Sequence, residues 1–527
     1  MANTTAVEYL DRGNAYADKG DYDKAIADYD KVIELDPINA VTYHNRGIAY
    51  TRKGDYDKAI ADYNKAIELD PNTAFTYTCR GIAYAQKGDY NQAMGDYSKA
   101  IKLDPQFAFA YTFRGNAFYF NGDYDKAIAD YSKAIELNPQ YATAYNNRGI
   151  AYKNKGYYDQ AIADFEGATK LDKNFVAAIQ NLNLLENFRA ICDKYGINEQ
   201  KQDYFSVYDT ANDIVELLKV TNSNEQNVAY YTQRNVAETL LFEKEGKRSQ
   251  FRQNSIVTTN DPQEGKTLIE YLSDNASAID WEYTRSDYQA FVGCFSFNHN
   301  SLNQFRLYGK YEGKEGTGVN LVFKDSFFAD EEHSSSLMTK NANKGIEAPK
   351  QTDLSRPTLY RCIYIDLESH NIISLGHRDI LSFYTAYGKE AKEKFNKYQE
   401  SLTKTLESIV EKFKELEGAI KNIPEDNKWE ILTEMLINLR YLVKHCAFKE
   451  EQECRIINVE KLDNKDKKIK MDGSEWMYIE AGEVSRHVQK IYFGPCATGI
   501  GLFRDRLILE ELNEIECEQS RLPFAGK

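Results

Sequence analysis

The 527 residues hold 66 lysines and arginines against 81 aspartates and glutamates, a net charge of −15, and 42% apolar residues. That length is enough for about two to four domains, the acidity disfavours a nucleic-acid backbone as a general partner, and no run of about eighteen apolar residues offers a membrane span. Eight cysteines without a Cys-x-x-Cys pair, seven histidines without ligand spacing and a start at Met1 that lacks basic and apolar blocks argue against a disulfide framework, a metal site and a signal peptide, and a cytoplasmic setting is expected.

From residue 6 to 175 one unit of 34 residues is written five times. Pro37, Pro71, Pro105 and Pro139 fall at this spacing, each after an apolar run ending in Leu-Asp or Leu-Asn. Gly13, Gly47, Gly81, Gly115 and Gly149 recur, as do Ala25, Ala59, Ala93, Ala127 and Ala161, and an aromatic residue returns at Tyr29, Tyr63, Tyr97, Tyr131 and Phe165. A fixed period of this length predicts stacked helical hairpins, an α solenoid. Within each unit Lys-Gly-Asp-Tyr or a close variant (Lys19–Tyr22 in the first) predicts the turn, with glycine ending the first helix and Asp capping the second. Arg12, Arg46, Arg80, Arg114 and Arg148 recur once per unit, either to hold acidic groups of a ligand or to pair with an Asp of a neighbouring unit. The fifth unit ends Leu171-Asp172-Lys173 without proline, and a helix around 176–195 is expected to cap the stack.

These residues resemble the tetratricopeptide repeat. The resemblance implies a concave groove lined by the first helices and a protein or peptide partner lying in it. The family's Lys/Asn clamp for C-terminal carboxylates is missing, since Leu10, Asn14, Phe75 and Cys79 stand at the corresponding positions. The groove is instead expected to present Phe75, Phe109, Phe113, Tyr119 and Phe120, suited to an apolar peptide, unless these aromatics pack within the solenoid.

After a capping and connecting helical stretch at 176–225, the period disappears. Short β-type runs at 228–232, 290–296, 318–323, 359–366, 455–459 and 489–493 alternate with helices, which predicts an α+β domain over 226–527. Leu402, Leu406, Ile409, Phe413, Leu416 and Ile420, then Trp429, Leu432, Leu436, Leu439, Val443 and Cys446, keep spacings of three and four. They predict an antiparallel helical hairpin, inserted at about 380–447, turning at Pro424.

Several blocks of this half resemble a bacterial domain of unknown function, number 2971: Tyr230-Tyr231-Thr232, Asn260-Asp261-Pro262, Cys294-Phe295-Ser296, Phe305-Arg306-Leu307-Tyr308, Glu451-Gln452-Glu453-Cys454-Arg455 and Ile491-Tyr492-Phe493-Gly494-Pro495. The resemblance implies no settled activity. On a strand, Glu451 and Glu453 would share a face about 7 Å apart, with Arg455 beside them. An early strand aromatic, a middle serine and a late Glu-x-Glu are also similar to the order of parts in ADP-ribosyltransferases. That likeness implies NAD as cofactor, Glu453 as the catalytic carboxylate, Glu451 for the acceptor or water, Ser296 in the nicotinamide pocket, Tyr231 or Tyr308 stacked on the ring and Arg306 on the pyrophosphate. The other readings are a buried ion-pair network of these same charges, or a different small-ligand site. Cys294, with no histidine partner in sight, is expected to be a buried thiol, and the chain has no phosphate-binding Gly-x-x-x-x-Gly-Lys-Ser/Thr loop.

Overall fold

The computed structural model describes residues 5–220, 228–242, 250–255, 266–273, 288–297, 319–328, 358–378, 387–461, 470–472, 476–493, 500–509 and 514–520, with a few single residues between. These divide into two compact units, one up to Asn187 and one from Phe188 onward.

The first unit is the solenoid. Its helices are α1 (Ala6–Asp18), α2 (Tyr22–Leu35), α3 (Ala40–Lys53), α4 (Tyr56–Leu69), α5 (Ala74–Gln86), α6 (Tyr90–Leu103), α7 (Ala108–Phe120), α8 (Tyr124–Leu137), α9 (Ala142–Asn154) and α10 (Tyr158–Leu171), and α11 (Val176–Tyr195) follows them. Each hairpin turns at a glycine of positive φ, from +77° at Gly20 to +85° at Gly88, which residues with a Cβ adopt only under strain. The second recurring glycine has a different cause. A Cβ on Gly81 would stand 2.6 Å from the Tyr97 ring, and the other units repeat this contact. Each aromatic is thus laid over the glycine of its own unit, and it also meets the next one: Tyr97 stacks on Phe113 with centroids 6.0 Å apart.

The capping differs in detail from the expectation. Among the turn aspartates only Asp89 accepts from the helix it precedes, from Gln92 N–H at 3.1 Å. Asp21, Asp55 and Asp123 instead pair with a lysine three residues on. The proline-free fifth unit keeps its turn because Asp172 Oδ1 accepts from Asn174 N–H at 2.9 Å, as Asp104 does from Gln106 N–H at 3.0 Å; the side chain, not proline, closes it. At the end of the array Asn181 of α11 donates to Asn146 Oδ1 at 3.3 Å.

The two-pronged contact of each recurring arginine is made within its own unit. Arg12, Arg46, Arg80, Arg114 and Arg148 hold Asp28, Asp62, Asp96, Asp130 and Asp164 through Nε and Nη2 at 2.6–2.8 Å. A two-pronged grip of this kind fixes both planes. Nη1 of the later four reaches back one unit, to Asp30, Asn64, Ser98 and Ser132. The expected partner, an Asp of a neighbouring unit, is met only by Arg46.

The second unit holds α12 (Lys201–Leu217), β1 (Ala229–Thr232), α13 (Arg234–Leu241), β2 (Gln250–Ser255), α14 (Thr267–Leu272), β3 (Tyr288–Ser296), β4 (Val319–Phe323), β5 (Leu359–Arg361), β6 (Ile363–Asp366) and β7 (Asn371–Leu375). It continues with α15 (Ala391–Lys421), α16 (Lys428–Met435), α17 (Ile437–Arg440), β8 (Val443–His445), β9 (Glu453–Lys461), β10 (Lys470–Asp472), β11 (Trp476–Glu483), β12 (Val488–Phe493), α18 (Ile500–Leu509) and β13 (Glu516–Gln519). Strands β3 and β9 are the spine of a ten-stranded sheet, antiparallel from Tyr288 opposite Lys461 to Ser296 opposite Glu453. β5 lies on the free edge of β9; on the far edge of β3 the sheet forks, through β2 to β11 and β10, and through β1 to β4, β12 and β13. Phe251, Phe295, Phe297, Phe323, Phe327 and Phe328 are buried together beneath it. A smaller sheet runs β7-β6-β8, with β6 and β8 parallel.

Two elements differ from the periodic reading. The run 359–366 is two strands in two sheets, divided at Cys362. The helical pair is asymmetric: its first arm is the 31-residue α15, but the second is broken into α16 and α17, and Val443 belongs to β8. Leu432, Leu436, Leu439 and Val443 are all buried as their spacing requires. The chain leaves the helix because Leu442 O accepts from Ile363 N–H at 2.7 Å, so strand pairing replaces the last turns. The packing partner of α15 is chiefly α12, with Lys412 and Asp213 3.1 Å apart between them.

Candidate functional site

In the first unit, Val7, Val41, Phe75 and Phe109 are each the second residue of the first helix of a repeat, and they are 65, 59, 52 and 40% exposed. The 34-residue period therefore lays out an apolar ladder along one face. Aromatic neighbours join its later rungs: His44 to Phe75 at 5.2 Å, Phe75 to Phe107 at 6.3 Å, Phe107 to Phe109 at 5.9 Å and Phe109 to Tyr141 at 5.1 Å between centroids. Phe120 is also exposed, stacked on Tyr90 at 5.6 Å. It lies about 16 Å from Phe109 along α7 at 1.5 Å per residue. Phe113 is half-buried against Tyr97. Tyr119 is half-buried too, its hydroxyl accepting from Asn154 at 2.6 Å. The five aromatics read from the sequence thus make two exposed patches with packed rings between.

His44 belongs to this region and was not among them. It is buried, Thr76 Oγ1 lies 3.1 Å from Nδ1, and Nε2 has no hydrogen-bond partner. Desolvation lowers its pKa to about 4, so the ring is neutral.

In the second unit, the structure brings four of the predicted polar residues, Ser296, Glu451, Glu453 and Arg455, into one cluster and adds a lysine. Ser296 ends β3 opposite Glu453, which begins β9, and Ser296 Oγ donates to Glu451 O at 2.8 Å. Glu451 is not on the strand as expected. It ends a 3-10 turn (Cys446–Glu451), and Gln452, at φ +46°, turns the chain into β9. The two carboxylates nevertheless meet, because Lys444 Nζ donates to Glu451 Oε2 and to Glu453 Oε2, both at 2.6 Å. Arg455 Nε donates to Glu453 Oε1 at 2.6 Å, and its Nη1 donates to Tyr441 O.

Glu453 is fixed through its main chain as well. Its N–H donates to Tyr364 Oη at 2.8 Å and its carbonyl accepts from Cys362 N–H at 3.1 Å. A Cβ on Gly376 would come within 2.3 Å of that carbonyl. Burial would raise the Glu453 pKa, but the charges of Arg455 and Lys444 hold it well below the usual carboxylate range. Glu451, nearer solvent, is raised by desolvation. Burial opposes the charge on Lys444, yet Glu453 and Glu451 push its pKa above the lysine value. Both oxygens of Glu453 are engaged by cations in the interior, so removing either partner would leave a buried charge uncompensated.

Of the other predicted residues, Tyr231 is buried on β1 with Ala229 and Tyr492, while Arg306 and Tyr308 lie outside the described residues. Cys294, expected to be buried, is exposed. Lys444 escaped the sequence reading because its partners are seven and nine residues away across a turn. The one local sign is a lone cation in the apolar run Tyr441-Leu442-Val443-Lys444. No described helix is long and apolar enough to cross a membrane.

Family models of the tetratricopeptide repeat match residues 13–54, 40–73, 62–94, 81–122, 115–156 and 142–175. The model of a protein of unknown function (DUF2971) matches residues 304–456. Among solved structures, the crystal structure of MamA protein is 33% identical, covers 33% of this chain and 94% of its own, and has a TM-score of 0.30. A MamA fragment from Desulfovibrio magneticus RS-1 is 20% identical over 33% of this chain and 98% of its own, with a TM-score of 0.31. YrrB, a TPR protein with an unusual peptide-binding site, is 22% identical over 34% of this chain and 92% of its own, with a TM-score of 0.29. No curated protein matches the chain.

Proposed function

Because residues 13–175 are a tetratricopeptide-repeat array and residues 304–456 carry the DUF2971 domain, we propose that the chain is a protein-interaction scaffold that seats an apolar peptide segment on the Phe75–Phe109 ladder. The observation that carries this reading is the ladder itself: four apolar side chains exposed at the same helix position on a chain of net charge −15. An exposed apolar row of fixed pitch matches a ligand with apolar side chains at intervals. In the second unit the Glu451–Lys444–Glu453–Arg455 cluster is read as a fastening of β9 to β8. NAD chemistry at Glu453 draws no support from this cluster, because the carboxylate is buried and each of its oxygens already accepts from a cation.

The test is selection of a displayed peptide library on the intact chain, followed by affinity measurement with Phe75→Ser/Phe109→Ser. Selected peptides should be apolar and should lose at least about tenfold in affinity on the double variant at unchanged helicity. Equal affinity would remove the ladder from the function.

A further inference from the structure

Parallel pairing of β6 with β8 sets Ile363 opposite Val443, Tyr364 opposite Lys444 and Ile365 opposite His445. The next residues on each chain are Asp366 and Cys446, so the register delivers a carboxylate, an imidazole and a thiol to one end of the small sheet. Their donor atoms lie within 4.8 Å of one another, all three residues are half-buried, and Cys446 Sγ stands 4.0 Å from His445 Nδ1. We propose that Asp366, His445 and Cys446 bind a divalent cation of the zinc class.

The donor chemistry selects that class. Thiolate with imidazole favours zinc over calcium or magnesium, which take oxygen ligands. With zinc–ligand bonds of about 2.0–2.3 Å, tetrahedral donors sit roughly 3.3–3.8 Å apart. Side-chain rotations that draw these atoms inward by about 1 Å close the site.

Neighbouring groups hold the aspartate in place. Asp366 Oδ2 accepts from Ser369 Oγ at 2.6 Å and Oδ1 from Glu368 N–H at 3.2 Å, which fixes the carboxylate, whereas the bond from Ala447 N–H to His445 Nδ1 at 3.2 Å uses the lone pair of the neutral ring and is released when the metal binds. Supports like those on Asp366 orient ligands in metal sites. Lys444, next to His445 in the chain, is turned to Glu451 and Glu453. On binding, the Cys446 thiol gives its proton to solvent as the S–metal bond forms. Three protein donors leave one tetrahedral position for water.

The experiment uses the full chain, stripped with chelator and titrated with zinc chloride and, separately, cobalt chloride. Saturable zinc binding at one equivalent is expected, with a sulfur-to-cobalt charge-transfer band in the near ultraviolet. Cys446→Ser should abolish the band and weaken zinc at least about tenfold, whereas Cys517→Ser, a half-buried thiol on β13, should change neither. On wild-type protein, saturating zinc should slow alkylation of Cys446 at least about tenfold, measured by peptide mass spectrometry, so the outcome does not hang on the fold of a variant. No saturable binding, a band that survives Cys446→Ser, or an unchanged alkylation rate would each overturn the site.

Discussion

Replacing Lys444 by methionine keeps the length of the side chain and deletes the one group that faces both carboxylates. At an effective dielectric of about 20, each 2.6 Å contact to Glu451 and Glu453 represents roughly 6 kcal/mol of attraction, most of it offset by desolvating the ammonium. Breaking a buried pair by removing one partner costs about 3–5 kcal/mol. The lower end applies here, because Glu453 keeps Arg455 and Glu451, already raised by burial, takes up a proton. All three tryptophans, Trp281, Trp429 and Trp476, fall in the second half of the chain, so their fluorescence follows that unit while far-ultraviolet circular dichroism is dominated by the array. With a urea slope of about 3 kcal/mol per molar, the fluorescence midpoint should fall by roughly 1 M and the array transition should stay in place. The double variant Lys444→Met/Glu451→Gln should recover at least about 1 kcal/mol, since it also removes the orphaned carboxylate. A midpoint within about 0.2 M of wild type would refute the reading of this cluster as a fastening.

Three further outcomes follow from single residues. His44 has a folded pKa lowered to about 4 from 6.5 by desolvation, so its contribution is fully present above pH 6.5 and is lost as pH falls from there to 4, while the unfolded chain takes up the proton. The loss is about 3 kcal/mol, and His44→Gln should flatten the pH dependence of the helical transition; an unchanged slope would contradict it. Gly376→Ala should cost more than about 2 kcal/mol, because its Cβ would collide with the main chain at Glu453. Gly95→Ala, inside α6 with nothing within 4 Å of the new methyl group, should stabilise the array by about 1 kcal/mol. Denaturation midpoints check both, and the same sign for the two substitutions would discredit the packing argument.

The array is legible in the sequence alone. A 34-residue hairpin is a local object, and its turn glycines, its Gly81–Tyr97 style contacts and its Arg80–Asp96 style pairs all join residues sixteen apart or fewer. Repetition then writes each cause five times over. The sequence was also enough to find most strands of the sheet spine and the first helix of the pair. Polar strands such as β2, Gln-Phe-Arg-Gln-Asn-Ser, went unread because what makes them strands is the edge of β3 and β11 beside them. Tertiary structure alone decided that Val443 leaves a helical pattern to pair with β6, that Lys444 sits between Glu451 and Glu453, and that Asp366 reaches a His-Cys pair 79 residues away. Histidine spacing along the chain argues against a metal because it weighs only near neighbours. Ion pairs and donor clusters obey distance in space, and in a sheet joined across long connections that distance is set by strand register, which no local pattern encodes.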